Sequence, residues 1–170
     1  IENKDKDKIW IIDPIDGTTN FLHGIPHFAI SIALQIDGEI RSALIHDPIK
    51  NEIFFAEKNS GSYFNNHRIR VSNKNDIEDC LFSSDQHGLK FVFPRLNMRS
   101  SGCSALDLAY VGSGRLDGVF YNKINLWDIA AGILIVQEAG GSINDYSKYD
   151  DRSIDIRAAS SSIYNKMMKK

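Results

Sequence analysis

Residues 28–37 alternate strictly: Phe28, Ile30, Ile32, Leu34 and Ile36 are interleaved with Ala29, Ser31, Ala33, Gln35 and Asp37. A period of two predicts a β-strand with one strongly apolar face. Asp37-Gly38 is a two-residue hairpin signal, and EIRSALIHDP reads as the returning strand. EIFFAEK and SYFNNHRIRV, separated by turn residues, extend an antiparallel meander. Upstream, IWIID (9–13) is a short β-branched strand that Pro14 is expected to end. The preceding IENKDKDK alternates charge and reads as a solvated lead-in.

Beyond Ser72 the period changes. CLFSS and LKFVFP each predict a strand. SALDLAYVGSG has helical spacing at Ala105, Leu108, Ala109 and Val111, with Gly112 or Gly114 as its stop. LDGVFYN is strand-like, and LWDIAAGILIVQEAGG is a mostly apolar helix ended by Gly140-Gly141. SIND and IRAAS predict short strands, and SIYNKMMKK a last helix. Antiparallel strands come first and helices later, with no internal repeat, so the expected class is layered α+β.

Composition narrows this picture. A chain of 170 residues, 42% hydrophobic and 25% charged, can bury its own core. Twenty Lys and Arg against 22 Asp and Glu leave a net charge of -2, which gives no basic footprint for nucleic acid or a membrane surface. No apolar run reaches the roughly 20 residues of a membrane span, and no signal peptide is evident. Cys80 and Cys103 form neither a disulfide framework nor a zinc pattern, so a reducing cytoplasm is the expected location. The chain begins at Ile1 rather than Met, and a missing front segment is expected. The organisation expected is one partial domain over 1–170, with a first-sheet part at about 9–72 and a second α/β part at about 80–170.

Three stretches ask for more than packing. In WIIDPIDGTTNF, Asp13 and Asp16 flank a Pro-initiated turn and can aim two carboxylates and the Ile15 carbonyl at one point. These are hard oxygen ligands of the kind Mg²⁺ prefers. Gly17-Thr18-Thr19-Asn20 follows with small residues and backbone N–H groups at an expected helix start, a ready phosphate cradle. An ordinary strand-turn-helix capped by Asp and Thr would use the same residues. In NLWDIAAG, Asn125 and Asp128 suit a helix cap, and Asp128 is equally placed to join a metal cluster. In RSSGCSALDL, Ser101-Gly102-Cys103-Ser104 opens a helix whose free N–H groups a ligand could approach, or is simply Ser-capped. GSGRLDG lacks the dinucleotide-binding spacing. His23, His27, His46, His67 and His87 have no metal-ligand spacing and read mostly as surface or turn residues. Cys103 lacks an assigned base and reads as structural.

Together these stretches resemble a known family. WIIDPIDGTTNFLHGIPHFAISIAL is similar to the first signature of the inositol monophosphatases, WDIAAGILIVQEAGG to the second, and RSSGCSALDLAYVGSGRLDG to the segment between them. The resemblance implies a layered αβαβα sandwich and Mg²⁺-dependent hydrolysis of a small phosphate monoester, inositol 1-phosphate first among them. Carried over by position, Asp13, the Ile15 carbonyl, Asp16 and Asp128 become metal ligands. Gly17 and Thr18 hold the phosphate through backbone N–H groups, with Asp16 and Asp128 beside it. The Thr18 hydroxyl, with Asp13, serves the attacking water. Gly102, Cys103 and Ser104 fall where the family contacts the alcohol portion. Dimers are usual in the family, and no residue here proves one.

Three departures accompany the resemblance. The family's upstream Glu-Glu pair has no counterpart, Glu2 being a poor substitute in the charged lead-in. The family's N-terminal helices are absent as well, so an exposed apolar patch is expected on the first sheet. Tyr121 stands where the family often has an acid that contacts a substrate hydroxyl, and the stretch from Cys80 to Arg99 is short. Two alternatives therefore stay open: an impaired, truncated relative acting as a binding protein or relic, and a phosphatase for another sugar or nucleotide phosphate.

Overall fold

The structure, a computed structural model, describes residues 7–85, 96–146 and 152–168. The predicted LKFVFP strand lies outside them. Six strands form the first sheet in chain order: β1 (Lys8–Asp16), β2 (Ala29–Ile36), β3 (Glu39–Asp47), β4 (Glu52–Glu57), β5 (Gly61–Phe64) and β6 (His67–Arg68). All their pairings are antiparallel, as a meander demands. The β2–β3 turn holds Asp37 at φ 52° and Gly38 at φ 78°, the left-handed pair expected of Asp-Gly.

Pro14 does not end β1. The strand runs on to Asp16 with one extra residue between Asp13 and Asp16 relative to β2. β1 is an edge strand, where proline's missing N–H costs no ladder bond, and a bulge absorbs the surplus residue.

The second sheet, ordered β10-β11-β9-β7-β8, joins β7 (Leu81–Ser84), β8 (Asn97–Arg99), β9 (Gly118–Ile124), β10 (Gly141–Ile143) and β11 (Ile154–Ser160). Its β7–β8 and β7–β9 pairs are parallel and the rest antiparallel. Between the sheets lie α2 (Ser104–Gly112) and α3 (Leu126–Glu138), which pack on each other and touch strands of both. Gly132 allows that approach, because a Cβ there would come 2.4 Å from the Leu108 Cβ. α4 (Ser161–Met168) covers the far side of the second sheet through Ile163 and Met167. The short α1 (Thr18–Leu22) follows β1. The architecture is the layered α+β sandwich.

On the first sheet, the face that meets α3 is the one with small residues. Ala33, Ala43, Ala56 and Ser62 lie in register and are buried, and the Ser62 hydroxyl donates to the Ile135 carbonyl at 2.6 Å. The larger side chains of Ile12, Ile32, Leu44, Phe55 and Tyr63 form the register row on the other face. There Trp10 is 61% and Ile12 52% exposed among the described residues, matching the expected apolar patch. A hollow of about 580 Å³ on this face, lined by Leu44, Ile53, Phe55, Tyr63 and three asparagines, holds no carboxylate, histidine or cysteine. No helix among the described residues is long and apolar enough to cross a membrane.

Candidate metal centre

The bulge in β1 turns Asp13 and Asp16 toward the same side. Asp13 Oδ1 accepts the Ile15 N–H at 2.9 Å, which curls the extra residue, and the Ile15 carbonyl accepts the Thr18 hydroxyl at 2.8 Å. Gly17 then takes φ 84°, a left-handed conformation, and starts α1. A Cβ on Gly17 would lie 3.1 Å from the His27 carbonyl and 3.2 Å from the Cys103 Cβ, so the residue must also be small. The first amides of α1, Thr18 and Thr19, have no intrahelical acceptor by helix geometry.

Asp16 is gripped by the start of α2. Its Oδ2 accepts the Ala105 N–H at 2.6 Å, the Cys103 thiol at 3.2 Å and the Ser104 hydroxyl at 3.3 Å. The N–H groups of α2 expected to be free for a ligand are therefore partly taken by an acid of the other sheet. Burial pushes the Cys103 thiol well above the ordinary range, so it stays protonated and donates to Asp16. Asn20 adds a second tie, its amide donating to the His27 carbonyl at 2.8 Å and the Ser101 carbonyl at 2.9 Å.

Asp128 arrives from α3. Its Oδ2 accepts the Asn125 backbone N–H at 3.3 Å and the Asn125 side-chain amide at 3.0 Å, so the predicted cap pair is real. Ser31, opposite Asp13 in β2, donates to the Trp127 carbonyl at 3.4 Å and fixes the helix start beside the bulge. Cap and cluster are served by one residue.

Asp13, Asp16 and Asp128 each present an oxygen, and these atoms lie within 4.8 Å of one another. Burial raises the Asp16 carboxyl, with the Asp13 charge adding to it and the Ala105 and Cys103 hydrogen bonds opposing. Burial likewise pushes Asp128 up to about 7, with the neighbouring Asp16 and Asp13 pushing the same way and Asn125 opposing. Two raised carboxyls beside Asp13 leave the cluster short of positive charge, and an all-oxygen set of this size suits a hard divalent cation.

A cavity of about 270 Å³ opens over the cluster, lined by Asp16, Asp85, Gly102, Cys103, Ser104, Tyr121, Lys123, Asn125 and Asp128. Behind it sits a network the sequence reading missed. Buried Asp107 accepts the Ser83 hydroxyl at 2.6 Å, the Ser101 hydroxyl at 2.8 Å and the Tyr121 hydroxyl. One acid on the apolar face of SALDLAY was the available signal. Lys123 and Asp85 gave none. His23 and His67 are exposed as expected, whereas His27 and His46 are partly buried with Nε2 atoms lacking a hydrogen-bond partner among the described residues. His87 lies outside the described residues.

Comparison with known proteins agrees with this fold. The model of the inositol monophosphatase family matches residues 1–169. A protein of Thermotoga maritima named fructose-1,6-bisphosphatase/inositol-1-monophosphatase is 46% identical over 149 residues, covering 83% of this chain and 58% of its own length. The Nus factor SuhB of Escherichia coli is 40% identical over 160 residues, covering 86% of this chain and 60% of its own. This chain thus spans less than two thirds of either relative. Among solved structures, the extragenic suppressor protein SuhB of Bartonella henselae superposes with a TM-score of 0.92 at 44% identity, over 99% of this chain and 74% of that one. The inositol monophosphatase of Anabaena gives 0.90 at 32%, over 99% and 73%. The bulged β1, the start of α2 and the acid at the start of α3 thus stand in a fold that nearly all of this chain shares with these proteins, and the chain belongs to the inositol monophosphatase family.

Proposed function

We propose that this chain hydrolyses a small phosphate monoester with Mg²⁺, inositol 1-phosphate being the reference substrate. The observation that carries the reading is the convergence of Asp13, Asp16 and Asp128 within 4.8 Å beside the start of α1. The residues fit the cation by donor chemistry and by their shortage of positive charge. Asp13, Asp16, Asp128 and the Ile15 carbonyl would hold it. When bound, divalent cations neutralise phosphoryl oxygens and acidify water.

The chain's own groups supply position. The Gly17 and Thr18 N–H groups receive phosphoryl oxygens where the helix start favours negative charge. The Thr18 hydroxyl gives its proton to the Ile15 carbonyl, so its lone pairs point outward to accept from an incoming water. Gly102, Cys103 and Ser104 present the wall against which the alcohol portion rests. The Asp16 carboxylate, locked by three donors, cannot swing away from the cluster. The same locking preorganises the site before substrate arrives.

Another sugar or nucleotide phosphate is a second reading, supported by Tyr121: its hydroxyl proton is spent on Asp107, so an inositol hydroxyl meets there only a neutral phenol oxygen in place of a carboxylate. Phosphate release from inositol 1-phosphate by the full chain in Mg²⁺, set against Asp16→Asn, tests the first reading. Wild type should exceed the variant by about 10³-fold or more, the usual scale for a group that organises the reacting charge. Release no greater than the variant's would leave a binding member of the family and end the proposal.

A further inference from the structure

The rim of the cavity carries a second bulge. Tyr121 of β9 pairs with Ile156 of β11 and Ile124 with Ile154, so three steps on β9 face two on β11. The surplus falls on Asn122 and Lys123, and Asp155 Oδ1 accepts the Lys123 N–H at 3.0 Å to hold the distortion. Bulges next to sites commonly re-aim a side chain, and this one sets Lys123 in the lining of the cavity above the acids.

The backbone of Lys123 is unusual in its own right. Six non-glycine residues among those described have positive φ, and five of them are Asp37, Asn51, Asn59, Asn65 and Asn66. Asp and Asn tolerate that region; Lys123, at φ 55°, is the exception. A residue kept in a strained conformation at the edge of a site is a reason to ask what its side chain does. Lys123 is exposed, and its ammonium has no hydrogen-bond or ion-pair partner among the described residues. Among the described residues it is also the one cation in a lining that otherwise holds Asp16, Asp85 and Asp128. Asp16 and Asp128 belong to the cation cluster, and the Tyr121 hydroxyl is committed to Asp107. Beyond the cluster, the described residues of the rim thus offer one free positive charge.

We propose that Lys123 Nζ binds a second anionic group on the alcohol portion of the substrate, so that the chain selects phosphate monoesters bearing another phosphate or a carboxylate. This inference rests on the reading of the acidic cluster as a phosphomonoesterase centre and names its substrate class. Asp85 is its local rival, since that carboxyl could accept the hydroxyls of a neutral polyol and reverse the preference.

The test compares fructose 1,6-bisphosphate, 3-phosphoglycerate and inositol 1-phosphate on the full chain in Mg²⁺, by kcat/KM, and in Ca²⁺, by calorimetric affinity. Wild type is set beside Lys123→Gly, Lys123→Asn and Lys123→Arg. Gly and Asn both suit φ 55°, so their Tm should equal or exceed that of wild type and folding does not confound the result. Relative to inositol 1-phosphate, the preference for at least one probe with a second anionic group should fall about tenfold in the neutral variants and persist in Lys123→Arg, the size expected of one charge-assisted contact. Loss confined to the bisphosphate or to the phosphoglycerate assigns the second group as phosphate or carboxylate. A preference ratio that is unchanged in both neutral variants, or rises, overturns the proposal. If no ester is hydrolysed yet calorimetry shows the tenfold loss, the hydrolytic reading fails and the Lys123 site stands. If all three are hydrolysed with one common change, the reverse holds.

Discussion

The two bulges that meet at the cavity differ in how they are built. The β1 bulge is made from Pro14 and Ile15 on an edge strand, and its product, the Asp13–Asp16 pair, is held by hydrogen bonds from its own turn and from the start of α2. The β9 bulge lies inside the second sheet, is fastened at its backbone by Asp155, and carries a lysine whose ammonium has no partner among the described residues. A floor held from several sides suits groups whose spacing must not vary. A rim with one free long side chain suits a choice among substrates. The difference teaches where this chain can change specificity without disturbing its acids.

The sharpest way to break the comparison is at the floor. Asp16→Asn removes one charge and part of the grip of α2, and the expected loss of about 10³ in rate should exceed any effect at Lys123. Next comes the support behind the cavity. Asp107→Ala would leave the Ser83, Ser101 and Tyr121 hydroxyls without their shared acceptor in a buried site. An unsatisfied buried group costs about 1–3 kcal/mol, so stability should drop by roughly 3 kcal/mol, readable as a lower urea midpoint. Asp107→Asn keeps an acceptor oxygen and should lose much less. Equal losses in the two variants would show that the network contributes little.

Gly17→Ala ranks third. The left-handed φ of 84° costs a residue with Cβ about 1–2 kcal/mol, and contacts of 3.1–3.3 Å with His27, Cys103 and Gly102 leave no room to relax. The same change at Gly38, where φ is 78° but nothing lies within 4 Å, should cost only the conformational part. Thermal melts of the two variants should therefore separate, with Gly17→Ala the lower. Coincident melts would mean that the α1 start is looser than its contacts suggest.

Much of this was legible in the chain, for physical reasons. Residues close in sequence form the floor: an apolar run, Pro14 and two acids three apart force a bulge that aims them together. The Asp-Gly turn and the period-two strands were legible because each depends on one or two local residues. Pro14 misled as a strand end because edge position is a tertiary fact. The choice of the alanine face of β2 as the packed one was equally hidden, since it depends on how closely α3 must approach. Asp107 showed itself only as an acid in an apolar helix, and its partners come from β7, the loop before α2 and β9. Lys123 gave no signal at all, because a bulge placed by Asp155 is written 32 residues away.

The smallest effect sharpens the floor itself. A carboxyl raised in the folded state contributes stability that is complete below its unfolded pKa and is lost as pH rises through the folded one. Asp128 has an ordinary value of 3.8 and is pushed up to about 7, first by burial and then by Asp16 and Asp13. Asp16 and Asp107 are raised as well, again first by burial. The metal-free chain should therefore lose Tm as pH climbs from about 4 to 7, when Asp128 and Asp16 are driven to ionise side by side. Mg²⁺ should restore it, and more at pH 8 than at pH 6, because at the lower pH the cation must displace a proton from Asp128. At a hundredfold excess over Kd the gain is about 2.7 kcal/mol, which for a chain of this size is roughly 5–10 °C. Asp128→Asn should flatten the metal-free slope without abolishing it, Asp16 and Asp107 remaining, and should cut the Mg²⁺ gain at pH 8. A gain equal at both pH values, or undiminished in Asp128→Asn, would mean that the cation binds elsewhere and that the crowded acids are held apart by the fold alone.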